Sequence, residues 1–135
     1  MSKVQVELGE NLRVEGRYEG KISSWITDVS KEFGGLQEYG TPVDMLMGSL
    51  AACIVSVMGI TAKKIGVGIQ GTRVDVEYNY APDHTIEKIN IFIRCPKQLD
   101  DSVTIQLEKA CLKCPVHRSL SSHIEKTHHF YWGEK

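Results

Sequence analysis

Alternating hydrophobic and polar positions predict short strands in the first part of the chain. The segments are residues 3–8 (KVQVEL), 12–18 (LRVEGRY) and 21–28 (KISSWITD), with turns at Gly9-Glu10 and Glu19-Gly20. Residues 30–40 predict a loop whose flexible point is Gly34-Gly35. We therefore expect three strands and a loop before the first helix.

A long helix follows the loop. Thr41 suits the N-cap, Pro42 the first helical position, and Asp44 stands three residues after the cap. The helix is predicted from Pro42 to about Lys64, and Gly66 stops it. Residues 45–60 carry no charge, which is typical of a buried helix. Because one short chain can hardly surround a helix of about 35 Å, we expect a second subunit to bury it.

The second half predicts a hairpin, two helices and a final strand. Residues 69–80 and 85–94 alternate as strands around a turn at 81–84, which predicts an antiparallel hairpin. Apolar residues at helical spacing then predict a helix that Pro115 interrupts, and a further helix is predicted over 115–126. Residues 128–132 (HHFYW) suit a strand. The order indicates an α+β fold in a single domain over 1–135.

Composition and charge exclude several classes of partner. The net charge of −1 provides no basic field for nucleic acid or an anionic membrane. The N-terminal residues lack the apolar core of a signal peptide, and Asp44, Ser49 and Lys63 are expected to keep any apolar run below the roughly 18 residues of a membrane helix. We expect a cytoplasmic protein whose cysteines are catalytic, metal-binding or simply buried rather than joined in structural disulfides.

The four cysteines occupy different settings. Cys53 lies inside the apolar helix, where position alone indicates a small buried hydrophobe. Cys114 precedes Pro115 and is predicted to be the N-cap of the next helix, where free amides, the helix dipole, His117 and Arg118 would favour a reactive thiolate. Cys95 stands at a strand end before Pro96 and is expected to be structural.

A metal site is a further interpretation of the same segment. Cys111, Cys114 and His117 recur at helical intervals and could hold zinc, with His123 or the pair His128-His129 as a fourth ligand. The alternative for His128-His129 is a strand with one ring outward and one packed.

Two segments together resemble the OsmC/Ohr family. They are residues 40–53 (GTPVDMLMGSLAAC), similar to that family's central-helix motif, and residues 113–120 (KCPVHRSL), similar to its second cysteine motif. The resemblance covers essentially the whole chain. It implies an OsmC-like fold, with antiparallel sheets wrapped around a long central helix, in an intertwined homodimer with two interfacial sites.

The same resemblance implies a thiol-dependent peroxidase that needs no cofactor and no metal. Cys53 would be the peroxidatic thiol and Cys114 the resolving thiol, with an organic hydroperoxide as substrate and a dithiol as reductant. An apolar surrounding of Cys53 suits bulky organic peroxides.

The sequence differs from the peroxidase branches of that family at the residue after Pro42. Val43 stands where those branches have an acidic residue that supports a catalytic arginine, and Asp44 comes one position later. Asp44 is therefore either a supporting carboxylate or a capping one. Three residues are candidates for the arginine: Arg13, Arg17 and Arg118.

Two other functions remain open. One is a non-catalytic dimer of the OsmC fold whose pocket holds a small apolar ligand. The other is a zinc-binding module that uses Cys111, Cys114 and His117.

Overall fold

A computed structural model describes residues 3–134 and has the predicted α+β character. The chain divides between Met47 and Gly48 into two compact units, and one long helix crosses this boundary. The elements are β1 (Val4–Leu8), β2 (Val14–Tyr18), β3 (Ser24–Thr27), α1 (Pro42–Ile65), β4 (Arg73–Tyr80), β5 (Ile86–Cys95), α2 (Asp101–Cys111), α3 (Pro115–Ser119) and β6 (Glu125–Trp132). Short 3₁₀ turns occur at Glu10–Leu12 and Lys31–Phe33. The single domain over 1–135 stays a prediction.

The three strands that the alternation predicts form an antiparallel sheet in the order β1-β2-β3 in the first unit. Because successive side chains alternate between the two faces of a strand, Val4, Val6 and Leu8 share one face. They are 55%, 63% and 68% exposed, respectively. Gly16 on β2 pairs with Trp25 on β3, and a side chain at Gly16 would collide with the Trp25 indole. The sheet therefore presents a largely uncovered apolar face.

The loop after β3 is organised around the buried carboxylate of Asp28. The backbone amides of Val29 and Glu38 donate to it at 2.7 and 2.9 Å, and Arg13 Nη2 donates at 3.1 Å. These contacts, led by the Glu38 amide, lower the pKa of Asp28 to about 2 although burial opposes them. The Asp28 amide in turn donates to the Gly40 carbonyl at 3.0 Å. The loop thus closes directly before α1.

The structure confirms both predicted ends of α1. The Asp44 amide donates to Thr41 Oγ1 at 3.1 Å, and the Thr41 amide donates to Asp44 Oδ2 at 2.9 Å, which is a reciprocal capping box. Gly66, at φ 91°, adopts the left-handed conformation that ends the helix.

Only one face of α1 is buried in the single chain. Leu50, Ile54 and Met58, spaced four residues apart, are fully buried, whereas Ile60 is 57% exposed. An 18-residue window has a mean hydropathy of 2.0 and is 28% buried, so by length and composition this helix could cross a membrane. The expectation that no apolar run is long enough is therefore wrong, because serine and threonine hydroxyls do not interrupt a charge-free run.

The sheet of the second unit has the order β4-β5-β6. β4 and β5 form the predicted antiparallel hairpin, but β6 lies parallel to β5, from Lys88 beside Glu125 to Cys95 beside Trp132. The prediction that the sheets are antiparallel is wrong for this pair, since a connection through two helices returns the chain in the same direction. Ile89, Ile91 and Ile93 of β5 are buried.

Two predicted boundaries are also corrected. β4 begins at Arg73 rather than at residue 69, because Gly71, at φ 86°, belongs to a turn. α3 ends at Ser119 rather than at residue 126, because the chain becomes extended at Leu120 and pairs with β5 from Glu125 onward. Pairing in the sheet outweighs the helical spacing of the apolar residues here.

Candidate functional site

Two free thiols meet in the second unit. Cys53 lies on α1 and is partly buried, and Cys114 precedes α3 and is completely buried. Their thiol groups lie close enough to interact with each other. The fold therefore brings together the two cysteines that the sequence motifs single out.

The N-cap position predicted for Cys114 is confirmed. Its Sγ accepts a hydrogen bond from the His117 amide at 3.4 Å, and Pro115 occupies the first turn of α3. The pKa of Cys114 is nevertheless raised, first by burial and then by contact with Cys53, while the amides of His117 and Val116 act in the opposite direction. The prediction that the Cys114 thiol ionises easily is therefore wrong, because a helix of five residues compensates little for the burial of a thiolate.

Cys111 does not join this pair as a second reactive thiol. It is buried, its Sγ donates to the Leu107 carbonyl at 3.6 Å, and burial raises its pKa to about 12. Within residues 3–134, no group of three or more histidine, cysteine, aspartate or glutamate side chains could hold a metal ion. This arrangement does not support the zinc module of Cys111, Cys114 and His117. Cys95, at the end of β5, is buried as expected of a structural residue.

Two histidine rings meet beside α3, on residues that the sequence suggested as zinc ligands. The rings of His117 and His128 are 5.0 Å apart. Burial lowers the pKa of both, that of His128 to about 4. His129 instead stacks on Phe92 at 4.8 Å. Neither ring of His128-His129 is fully outward, because α3 contacts one and a β5 aromatic contacts the other.

The candidate arginines differ in how they are engaged. Arg13 binds two carboxylates, Asp28 at 3.1 Å and Glu38 at 3.0 Å, and its guanidinium lies 4.7 Å from the Tyr39 ring centre. These contacts offset its charge. The other two are exposed: Arg17 donates to Gln5 Oε1 at 3.3 Å, and Arg118 lies in α3. Asp44 forms the capping box described above, which supports its capping role.

An open groove of about 310 Å³ lies between α2 and β6. It is lined by Ile105, Glu108, Lys109, Leu112, His128 and Phe130. On the same strand, Trp132 Nε1 donates to Glu108 at 3.0 Å, which ties β6 to α2. His128 thus belongs both to the histidine pair and to the wall of this groove.

Comparisons with known proteins identify the family to which this fold corresponds. A family model described as OsmC-like protein matches residues 35–129. No curated protein matches the chain by sequence. Among solved structures, a Psychrobacter arcticus 273-4 protein named for osmotic stress induction and a detoxification response is 27% identical, with a TM-score of 0.92 over 97% of this chain and 96% of that one.

Two further structures share the fold at lower identity. The organic hydroperoxide resistance protein OsmC of Legionella pneumophila is 14% identical, with a TM-score of 0.72 over 97% of this chain and 96% of that one. The organic hydroperoxide resistance protein OhrB of Bacillus subtilis is 15% identical, with a TM-score of 0.67 over 96% and 97%. Since the family model covers well over half of the chain and the fold agrees throughout, this protein belongs to the OsmC-like family.

Proposed function

We propose that this protein is a thiol-dependent peroxidase that reduces organic hydroperoxides. The observation that carries the proposal is the contact between the two free thiols of Cys53 and Cys114. The names of the Legionella and Bacillus relatives, which refer to organic hydroperoxide resistance, agree with it.

The two thiols have distinct roles in the proposed reaction. The Cys53 thiolate attacks the outer peroxide oxygen, the O–O bond breaks, and an alcohol leaves while Cys53 becomes a sulfenic acid. Cys114 then attacks the Cys53 sulfur, which forms a disulfide and releases water. A dithiol reductant returns both residues to thiols by exchange. We assign the attack to Cys53 because it is partly exposed, whereas Cys114 is inaccessible to a peroxide.

A cation near Cys53 would raise its reactivity by stabilising the thiolate. Arg13, Arg17 and Arg118 remain the proposed sources. Arg13 would have to exchange one of its carboxylate partners, whereas Arg17 would give up one hydrogen bond to a neutral amide. Single alanine variants, compared by the rate of the first oxidation, identify which of the three acts.

We propose that a second copy of the chain covers two apolar surfaces. One is the face of β1 that carries Val4, Val6 and Leu8, and the other is the face of α1 around Ile60. On α1 the exposed residues include Gly48, which leaves room for a closely approaching neighbour. We also propose that this dimer lies in the cytoplasm, and membership of the OsmC-like family favours a folded assembly over a helix in a membrane.

The test is a single turnover under anaerobic conditions. The fully reduced protein is mixed with one equivalent of cumene hydroperoxide, and disulfides are mapped by mass spectrometry. We expect one equivalent of peroxide to be consumed and one disulfide to join Cys53 and Cys114. The matched control, Cys95→Ser, should behave like the wild type because Cys95 is buried elsewhere. Unconsumed peroxide, or a disulfide between other cysteines, would contradict the proposal.

The groove between α2 and β6 favours one alternative, a dimer that binds a small apolar ligand without turnover. That protein would bind cumyl alcohol and cumene hydroperoxide equally well and leave both thiols reduced.

A further inference from the structure

The resolving step of the proposed reaction requires proton transfer. Cys114 must lose its thiol proton before its sulfur can attack, and the sulfenic oxygen of Cys53 must gain one to leave as water. Cys114 is fully buried, and among residues 3–134 the groups that act on its thiol are the Cys53 thiol and the backbone amides of Val116 and His117. Amides can stabilise a thiolate but cannot accept its proton, so a base has to be supplied by another group.

His117 is held close to the Cys114 sulfur by its own backbone. Its amide nitrogen is 3.4 Å from Cys114 Sγ. The imidazole is joined to that nitrogen through only Cα and Cβ, so the first ring atom lies within about 7 Å of the sulfur in any rotamer. His117 also occupies the third position of α3, from which a side chain can reach back to the N-cap residue.

The ring of His117 adjoins the ring of a second histidine. His117 and His128 are in ring contact at 5.0 Å, and the Nε2 atoms of both are shielded from solvent. Neither Nε2 has a hydrogen-bond partner in the part of the chain that the structure describes, residues 3–134. Buried polar atoms are nearly always paired, so two adjacent unpaired imidazole nitrogens leave both rings open to proton exchange.

The groups around the pair favour neutral rings. Burial is the main cause of the lowered pKa of both histidines, and Lys126 of β6 lowers both further. His117 and His129 add to the effect on the pKa of His128. The groove wall that includes His128 also carries Glu108 and Lys109 of α2. Neutral imidazole is the form that accepts a proton.

We propose that His117 and His128 form a proton relay between the Cys114 thiol and the groove beside α2. This inference rests on the proposed peroxidase function. His117 takes the proton of Cys114 as the Cys114 sulfur attacks the Cys53 sulfenic acid. The S–S bond forms, the S–O bond breaks, and the relay supplies a proton to the departing hydroxide, so that one water leaves without net proton uptake. His128 exchanges protons between His117 and the groove.

The experiment separates the two chemical steps by rapid mixing with one equivalent of cumene hydroperoxide. Sulfenic acid is trapped with dimedone, and the disulfide is quantified by mass spectrometry. For His117→Ala we expect an unchanged rate of sulfenic acid formation and a disulfide step about 10²-fold slower at pH 7. Added imidazole should restore part of the rate in this variant. His117→Phe, which keeps an aromatic ring, should be slowed in the same way.

The matched control is His123→Ala, which removes an exposed histidine from the neighbouring turn and should leave both steps unchanged. The pH profile is the second diagnostic. The disulfide step of His117→Ala should rise about tenfold per pH unit with the thiolate fraction of Cys114, whereas the wild type should be less steep. A wild-type rate in both His117 variants, or a slow step that imidazole does not restore, overturns the relay.

A second measurement keeps the relay testable if the peroxidase proposal fails. If the wild type forms no sulfenic acid, peroxidase function is excluded, and the reaction of Cys114 with methyl methanethiosulfonate is followed in Cys53→Ser protein. Slower modification after His117→Ala, with recovery in imidazole, supports proton transfer from Cys114. Modification that does not depend on His117 overturns it.

Discussion

Replacing Asp44 with alanine should reduce stability and leave the chemistry of the thiols unchanged. The substitution removes the acceptor of the 2.9 Å hydrogen bond from the Thr41 amide at the start of α1. Loss of a helix cap costs about 1 kcal/mol in the free energy of unfolding. For a chain of this length that corresponds to a decrease in Tm of about 3–6 °C.

The reciprocal geometry allows a sharper test through a double-mutant cycle. Thr41→Ala removes the acceptor of the 3.1 Å bond from the Asp44 amide and should also cost about 1 kcal/mol. Because the two bonds support one another, the double variant should lose less than the sum, by about 0.5 kcal/mol. Asp44→Asn, which keeps an acceptor oxygen, is the matched control and should lose less than Asp44→Ala.

The assay is denaturant unfolding at one protein concentration, since assembly would make stability depend on concentration. The rate of peroxide consumption is measured on the same samples. If Asp44→Ala retained its stability but lost peroxide reactivity, Asp44 would act at the reaction site and the capping interpretation would be refuted.

Three further predictions concern the thiols, the assembly and the pH dependence. Cys53→Ser should abolish peroxide consumption, Cys114→Ser should stop after one turnover with a trapped sulfenic acid, and Cys111→Ser should resemble the wild type; mass spectrometry of each variant decides this. Sedimentation should show that the wild type is a dimer at micromolar concentration and that Ile60→Asp weakens the dimer. A folded wild-type monomer would exclude the dimer. The free energy of unfolding should fall as the pH decreases from 6.5 to about 4, because His128 binds a proton in the unfolded state but stays neutral in the folded state. His128→Phe should make this dependence on pH less steep.

Elements encoded by local signals could be predicted from the sequence. Thr41, Pro42, Asp44 and Gly66 specify both ends of α1 through backbone hydrogen bonds and conformation within a few residues. The N-cap position of Cys114 follows from Pro115 for the same reason.

Features that depend on distant parts of the chain could not be predicted in this way. The parallel partner of β6 and the early end of α3 arise from pairing with β5, for which the sequence near residue 120 holds no signal. The pKa of Cys114 depends on how deeply it is buried. The contact of His117 with His128 likewise requires the return of β6 beside α3. An unpaired imidazole is visible only once its neighbours are known.

The two tryptophans give each compact unit its own fluorescent reporter. Trp25 lies across Gly16 in the first unit, and Trp132 donates to Glu108 in the second. Trp25→Phe and Trp132→Phe variants would each leave a single indole, whose emission follows the unfolding of one unit alone. Superimposed denaturation curves would establish that residues on both sides of Met47 fold as one cooperative domain. Separated curves would instead assign an independent stability to the strands that precede α1.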